Sequence, residues 1–181
     1  MHEYVTKAFI LSTEPAGEAN LRITMFTQSS GKVVALARSA RKPKAKLTAH
    51  LQPLSISRVR LVERKGVQVV DAMRISTSSE STSTSMEDMQ KMIALLGVAQ
   101  LIDKMTDLYH PDPELWALIE NGALASASTL KILGFDPAHA RCRFCDAGKP
   151  SHFLIKDSEF VCDSCFTASL KAEHKERVVV Q

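Results

Sequence analysis

Apolar and polar residues alternate along the first 75 residues of the chain, with the period of about two that β-strands show. In LRITMFT, for example, Leu21, Ile23 and Met25 share one face. The pattern predicts five strands, at residues 4–11, 21–27, 33–37, 54–62 and 67–75. In the fourth strand the apolar phase slips between Ile56 and Val59, which predicts a β-bulge.

These strands are short, and one long connection separates the third from the fourth. This arrangement predicts a small closed β-barrel of the OB type at residues 1–77, with an SH3-like barrel as the nearest alternative. The expected fold class is therefore α+β and multidomain, with a five-stranded barrel first.

A polar tract, STSSESTSTS, follows the barrel and predicts a linker at residues 78–85. Ser85, with Asp88 three positions later, predicts the cap of a helix. Apolar residues then recur at helical spacing, and we expect them to form ordinary packing core rather than a binding groove. They are Met89, Met92, Ile93, Leu96, Ala99, Ile102, Met105 and Tyr109.

A second helix start is indicated where Asp112 is followed by Pro113 and Glu114. The apolar spacing predicts one helix that carries Trp116 and continues until Gly134 ends it. Together the two predicted helices define a helical middle domain at residues 86–140.

All four cysteines fall in two CxxC pairs that are sixteen residues apart, Cys142 with Cys145 and Cys162 with Cys165. This spacing is typical of a structural zinc site, and it predicts one zinc ion per chain in a ribbon at residues 141–166, inserted in or appended to the helical domain. Four thiolates leave no open coordination position, so we expect the metal to be structural and not catalytic. Paired disulfides are the weaker alternative for a cytoplasmic chain.

We expect the strands of this ribbon at residues 152–156 and 159–161. Residues 167–181 are expected to form a C-terminal tail. We expect His139 and His152, which lie nearby in sequence, to be ordinary exposed histidines, because four cysteines suffice as ligands.

Positive charge is concentrated in residues 31–65, which hold ten Lys or Arg against one acid, Glu63. Such a segment predicts neutralisation of nucleic-acid phosphates, with a solvated loop as the alternative. Only Tyr4, Phe9 and Phe26 offer aromatic rings in the barrel, so phosphate contact should dominate over base stacking. The candidate DNA-binding residues are Lys32, Arg38, Arg41, Lys42, Lys44, Lys46, Arg58 and Arg60, and Arg64 and Lys65 extend the path.

The sequence contains no P-loop, nucleophile elbow or HExxH motif, so we expect a binding protein and not an enzyme. No apolar run reaches the length of a membrane span, and the N-terminus lacks the features of a signal peptide. The expected location is the cytoplasm.

Two strings of the sequence resemble the bacterial RecO family of DNA repair proteins. One is AFILSTEPAGEANLRITMFTQSSGKVVALARSARKPKAKL followed by LQPL, and the other is LKILGFDPAHARCRFC. The resemblance implies a nucleoid-associated recombination mediator that binds single- and double-stranded DNA and anneals complementary strands. It also implies that the protein recognises the C-terminal tail of single-strand-binding protein and acts with RecR to help load RecA.

By position, the resemblance assigns DNA contact to Lys32 and to the cations from Arg38 to Lys46, and metal binding to the four cysteines. It further implies an apolar pocket with nearby cations, for an acidic tail that ends in an aromatic residue and a carboxylate. The chain departs from the family at Ser39, where a glycine is usual, and in its sixteen residues after Cys165, which lead us to expect a reduced C-terminal domain.

Two other functions remain open from the sequence. Barrels and zinc ribbons are also combined in RNA-binding proteins and transcription accessory factors. Four cysteines can instead hold iron in an electron carrier.

Overall fold

The computed structural model describes residues 2–42, 45–77, 86–169 and 177–180. The predicted linker at 78–85, the cap at Ser85 and the candidate residue Lys44 lie outside these ranges. The chain divides into two compact units, one formed by Met1–Ser83 with Thr106–Gly122, and the other by Thr84–Met105 with Ala123–Gln181.

Five strands form the barrel of the first unit: β1 (His2–Ala16), β2 (Asn20–Thr27), β3 (Gly31–Ala37), β4 (Ser55–Arg64) and β5 (Gly66–Thr77). They close on themselves in the order β1-β2-β3-β5-β4, with β3 parallel to β5 and the other pairs antiparallel. This closure confirms the predicted five-stranded barrel, and the strand order is that of the OB type.

The barrel core is formed by the inward members of the alternating pattern. Ile23 and Met25 of β2 face Val33 and the small Ala35 of β3, and all four are buried in one cluster. The predicted bulge in β4 is confirmed, because the β4–β5 register shifts between Ile56 and Ser57. A bulge lets a strand bend, which a small closed barrel requires.

The described ranges also contain the following α-helices and strands: α1 (Met86–Met105), α2 (Pro113–Glu120), α3 (Ser126–Ile132), β6 (His152–Leu154), β7 (Glu159–Val161), α4 (Asp163–Ser169) and β8 (Arg177–Val179). Short 3₁₀ helices lie at Leu47–His50 and Pro137–His139. Strands β7, β6 and β8 form a three-stranded antiparallel sheet with β6 in the centre. None of the helices in the described ranges combines the length and the apolar character that crossing a bilayer requires.

Two predictions about the helices are wrong. The first helix ends at Met105 and does not reach Tyr109, which has a positive φ of 59°. The second breaks into α2 and α3, because Asn121 and Gly122, with φ of +66° at the glycine, end α2 after two turns. Gly134 does follow the end of α3, as predicted, with φ of +90°.

The prediction of a tail at residues 167–181 is also wrong for residues 177–180, because Arg177–Val179 forms β8. This strand pairs with β6 in register, with Val178 opposite Phe153. A three-residue strand carries too little pattern to be recognised without its partner.

The segment Thr106–Gly122 packs with the barrel. The Tyr109 amide donates a hydrogen bond of 3.0 Å to the Lys32 carbonyl, and Leu108 and Lys32 form an isolated bridge. On α2, Glu120 forms an ion pair with Lys7 of β1 and accepts a hydrogen bond from the Trp116 indole at 3.2 Å. The stretch predicted as a separate helical domain therefore contributes α2 to the barrel unit.

Phe9 and Phe26 lie opposite each other on β1 and β2, on the side of the strands that faces away from the core cluster. They are nevertheless only 1% and 0% exposed. Leu115 of α2 is also buried, and Ile119 is 2% exposed. All four residues belong to the barrel unit, so neither phenylalanine ring is available at the surface.

Gly31 is the point of closest approach between the barrel and this segment. Its φ is +65°, and a Cβ atom at this position would overlap the backbone carbonyl of His110. Only glycine meets both conditions without movement of the backbone.

Replacing Gly31 by Ala is expected to lower the free energy of unfolding of the barrel unit by about 2–4 kcal/mol, because the methyl group forces the His110 backbone away. Gly17→Ala is the matched control, since Gly17 has φ of +72° but open space around it, and it should cost about 1 kcal/mol. Chemical denaturation followed by the fluorescence of Trp116 measures both. Equal losses would contradict the close approach.

Candidate functional site

The cationic loop after β3 is tied to the turn between β1 and β2. The Arg41 amide donates to the Ala19 carbonyl and its guanidinium to the Gly17 carbonyl, each at 2.9 Å. The Ser39 amide donates to the Asn20 side chain at 2.9 Å. Ser39 has φ of 54°, in the left-handed region that glycine prefers, which explains why a glycine suits this position. These hydrogen bonds fix Ser39 and Arg41 to the turn between β1 and β2.

Arg38 shares a shallow groove of about 590 Å³ with the turn between β4 and β5. That turn contributes Arg64 and Lys65, and the floor is formed by Val62, Gln68 and Val70. Three cations from two separate parts of the sequence thus line one surface. We call this surface the cationic groove.

The other predicted DNA-binding residues lie elsewhere on the barrel. Lys32 is at the start of β3, about 20 Å along the strand from Arg38 at about 3.3 Å per residue. Arg58 and Arg60 are exposed on one face of β4, as predicted. Arg60 forms an ion pair with Glu3 at 3.0 Å, which partly neutralises it.

Lys46 is exposed and precedes a short 3₁₀ helix at Leu47–His50. This helix is held on the barrel through Arg74 of β5, whose guanidinium donates to the Ala49 carbonyl at 2.6 Å. The connection between β3 and β4 is therefore anchored at both ends, by Arg41 and by Arg74.

The four cysteines form one cluster. Their sulfur atoms all lie within 4.8 Å of one another, and the Sγ atoms of Cys145 and Cys162 are 3.6 Å apart. A tetrahedron with metal–sulfur bonds of about 2.3 Å has edges of about 3.8 Å, so the spacing fits a single ion. All four belong to the described part of the chain, and none forms a disulfide.

Each CxxC pair is shaped by the local backbone. After the first pair, the amide of Asp146 donates to the Cys142 carbonyl at 2.9 Å, and Asp146 itself has φ of 56°. The second pair spans the start of α4, which begins at Asp163, and the Phe166 amide donates to the Cys162 carbonyl at 2.9 Å. The two turns therefore point their thiols at a common centre.

The environment of the cluster favours the metal-binding form of one thiol. Burial would raise the pKa of Cys142, but hydrogen bonds from the backbone amides of Cys162, Cys145 and Phe144 lower it to about 6. The pKa of Cys165 is raised to about 12, because its thiol shares hydrogen bonds with Cys145 and Cys162. Thiolates are the form that binds a metal, so the amides around Cys142 favour the form of this side chain that could bind one.

The expectation that His152 is exposed is wrong, whereas His139 is exposed as predicted. His152 begins β6, is 6% exposed, and its Nε2 lies 3.1 Å from the Asp163 carboxylate at the start of α4. Its ring also contacts Phe166, with centroids 4.6 Å apart. His152 therefore holds the second cysteine pair against the sheet and is not a member of the cluster.

A second groove, of about 560 Å³, lies beside α1 in the second unit. It is lined mainly by apolar groups, with Arg177 as its cation. The lining residues are Gln90, Ile93, Ala94, Gly97, Ala125, Ser126, Arg177, Val178 and Val179. We call it the α1–β8 groove.

The packing prediction for α1 is correct for its C-terminal half only. Ala99 and Ile102 are buried, whereas Met89, Ile93 and Leu96 are 56%, 63% and 47% exposed. Sequence reasoning missed the α1–β8 groove, because its third wall is the unpredicted strand β8.

The chain thus combines an OB-type barrel that carries a cationic groove with a second unit that carries a four-cysteine cluster, whose spacing fits one metal ion. Residues 1–78 match the family described as "Recombination protein O N terminal". The similarity to curated proteins extends over most of the chain, and it confirms the resemblance that the sequence strings indicated. Residues 1–78 therefore belong to this N-terminal domain family, and most of the chain is similar to proteins described as DNA repair protein RecO.

Three relatives illustrate the match, and each is described as DNA repair protein RecO. The protein of Myxococcus xanthus is 29% identical over 91% of this chain and 73% of the relative. That of Bacillus velezensis is 27% identical, and that of Bacillus subtilis 25%, each over 88% of this chain and 68% of the relative.

Proposed function

We propose that this protein is a recombination mediator that binds single- and double-stranded DNA and anneals complementary strands. In this proposal it acts with RecR to help load RecA onto strands coated with single-strand-binding protein. Its proposed location is the cytoplasm, in association with the nucleoid. The observation that carries the proposal is the cationic groove, in which Arg38, Arg64 and Lys65 line one surface. The match of residues 1–78 to the RecO N-terminal family and the similarity to RecO proteins support it.

The proposed DNA-binding surface consists of the cationic groove and the loop residues Arg41, Lys42 and Lys46. Lys44, which lies outside the described residues, is a further candidate from the sequence. Lys32, Arg58 and Arg60 extend the path of a longer strand around the barrel. DNA binding is assigned to the domain at residues 1–77. Arg41 has a second role, because its guanidinium already fixes the loop to Gly17.

Binding by this surface depends on phosphates more than on bases. The two phenylalanines that offered rings for stacking, Phe9 and Phe26, are buried. Phosphate contacts carry no sequence information, and they apply to single and double strands alike. We therefore expect weak sequence preference at the cationic groove and a steep dependence of affinity on salt.

Annealing follows from the same electrostatics. Two complementary strands repel each other, and a cationic surface that neutralises phosphates on both lowers that repulsion. This chain's contribution is to bind and screen the strands, and no bond is broken. The proposed reaction therefore needs neither a nucleotide cofactor nor a catalytic residue.

The cysteine cluster is proposed to hold one structural zinc ion, with Cys142, Cys145, Cys162 and Cys165 as its four ligands. The sulfur spacing supports this assignment, and a closed four-thiolate site supplies folding energy rather than chemistry. The ion would fix the turn before β6 to the start of α4, where His152 and Asp163 already meet.

The α1–β8 groove is proposed to receive the C-terminal tail of single-strand-binding protein. An aromatic side chain fits an apolar groove, and Arg177 offers a cation for a carboxylate. Arg177 is positioned by the Phe166 ring, which lies 4.1 Å from its guanidinium carbon. The exposed Ile93 and Leu96 on α1 support an apolar partner.

Changing Lys42 and Lys65 together to Gln is expected to weaken binding to every DNA sequence and to flatten its salt dependence. If about six phosphates are neutralised, the log–log slope of wild-type affinity on single strands is near −4, and the double variant should lose about 1.4 of that slope. Fluorescence anisotropy over a salt series measures it.

Lys104→Gln with Lys131→Gln is the control for this experiment, because both lysines are exposed and belong to the second unit. It removes the same charge without touching the barrel. An equal loss in both double variants would contradict the assignment of the cationic groove, and a flat wild-type response, or preference for folded RNA, would contradict DNA binding itself.

The purified protein is expected to be colourless and to contain about one zinc ion per chain. Losing the hydrogen-bond partner of a metal ligand typically weakens metal binding by roughly 10–100-fold, so losing a ligand itself should cost more. Cys145→Ser is therefore expected to weaken zinc binding by more than about 100-fold. The control Ser164→Ala should leave zinc affinity unchanged. Zinc should be released on acidification, because protons compete for the thiolates. Elemental analysis with a chelator titration measures both, and bound iron with visible absorption would contradict zinc.

A further inference from the structure

A separate pocket of about 450 Å³ opens at the start of β1. It is lined by His2, Tyr4, Val5, Ser29, Ser30 and Glu63, which come from β1, the β2–β3 turn and the end of β4. It shares no lining residue with the cationic groove. No Lys or Arg is among its lining residues, so phosphate contact does not account for it.

Aromatic rings form one side of this pocket. The rings of His2 and Tyr4 lie on the same side of β1, with centroids 5.4 Å apart and planes inclined by 31°. His2 is exposed, and Tyr4 rests partly on the barrel core. The exposed His2 ring is therefore available to a ligand, while Tyr4 beside it is packed against the barrel core.

A third ring approaches from outside the barrel strands. Tyr109 is 53% exposed, is held through its amide on the Lys32 carbonyl, and lies close enough to Tyr4 to interact with it electrostatically. Sequence reasoning counted few rings available for stacking because Tyr109 lies more than 100 positions from Tyr4.

Glu63 provides the main polar group of the pocket. Its carboxylate accepts a hydrogen bond of 3.4 Å from the Tyr4 hydroxyl and faces His2 across the strands. Burial and this carboxylate raise the pKa of Tyr4, against an opposing hydrogen bond with Ser30, so the hydroxyl stays a donor. A carboxylate keeps further acceptor sites when it receives one such bond.

The chemistry of the pocket selects its ligand. Flat rings suit a flat aromatic ligand, and a carboxylate accepts from N–H donors but repels phosphate. Among the bases, cytosine, adenine and guanine present an exocyclic amino group. The one N–H donor of an unpaired thymine, at N3, lies between two carbonyl oxygens that the carboxylate repels.

We propose that this pocket binds one unpaired nucleobase that carries an exocyclic amino group, stacked on the rings of His2 and Tyr4 with its amino group donated to Glu63. The inference rests on the proposed DNA binding and adds base discrimination to it. The cationic groove holds the strand through its phosphates, and the pocket prefers cytosine over thymine in single strands.

The test compares binding of deoxycytidine and thymidine homopolymers of about 15 nucleotides at one salt concentration and slightly alkaline pH. Wild-type protein should bind the cytosine strand about 5-fold more tightly, the size of one favourable base contact. Glu63→Gln should bring that ratio close to one. The glutamine side chain can donate an N–H to a thymine carbonyl as well as accept from the cytosine amino group. The salt slope should stay unchanged.

Glu14→Gln is the matched control, since Glu14 is an exposed acid on β1 away from the pocket. It should raise affinity for both strands equally and keep the ratio. His2→Ala, at an exposed position, should lower single-strand affinity about 5-fold and leave duplex binding unchanged. Thermal melting confirms that each variant is folded, and Tyr4→Phe, which keeps the ring, should retain stacking.

Equal wild-type affinity for the two strands would overturn the inference, and so would a Glu63→Gln ratio equal to that of Glu14→Gln. In either case salt-dependent binding of both strands would leave the proposed DNA binding intact. Failure of the wild-type protein to bind either strand would instead overturn the proposed function.

Discussion

The close contact between the start of β3 and the segment Thr106–Gly122 fixes that segment to the barrel. Gly31 lets the His110 carbonyl approach the barrel backbone, and the adjacent Lys32 carbonyl accepts a hydrogen bond from the Tyr109 amide. Tyr109 then lies near enough to Tyr4 to interact with it electrostatically. Phe9 and Phe26 are buried in the same unit, so they do not offer rings to a ligand. The rings that remain available on the barrel are therefore those near the start of β1.

Charge accounts for the rest of the proposed DNA-binding surface. Hydrogen bonds of Arg41 and Arg74 fix the connection between β3 and β4 near its two ends. Because part of the backbone is already fixed before DNA binds, ordering the connection costs less of the binding free energy. Arg38 then meets Arg64 and Lys65 across the groove, while Arg60 is partly neutralised by Glu3. The distribution suits a strand held mainly by its phosphates, with one position at which a base is read.

Local patterns predicted much of this structure. Alternation in LRITMFT, the phase slip after Ile56 and the spacing of the cysteines each depend on neighbours in sequence, so the five barrel strands, the bulge and the cysteine cluster were all predictable. The break at Gly122 was missed because helical spacing of apolar residues continues across it. Contacts between distant residues were not accessible: β8 is defined only by pairing with β6, His152 is buried by Asp163 and Phe166, and Tyr109 reaches Tyr4 only after the segment folds onto the barrel.

Strand annealing tests the central claim most directly, measured with complementary oligonucleotides that are either bare or coated with single-strand-binding protein. The wild-type protein should accelerate pairing in both cases, and the Lys42 and Lys65 double variant should be slow in both. Ile93→Asp, in the α1–β8 groove, should anneal bare strands normally and fail only on coated ones. If the wild-type protein does not accelerate the pairing of bare strands, the account of this protein as a charge-based annealing factor is wrong.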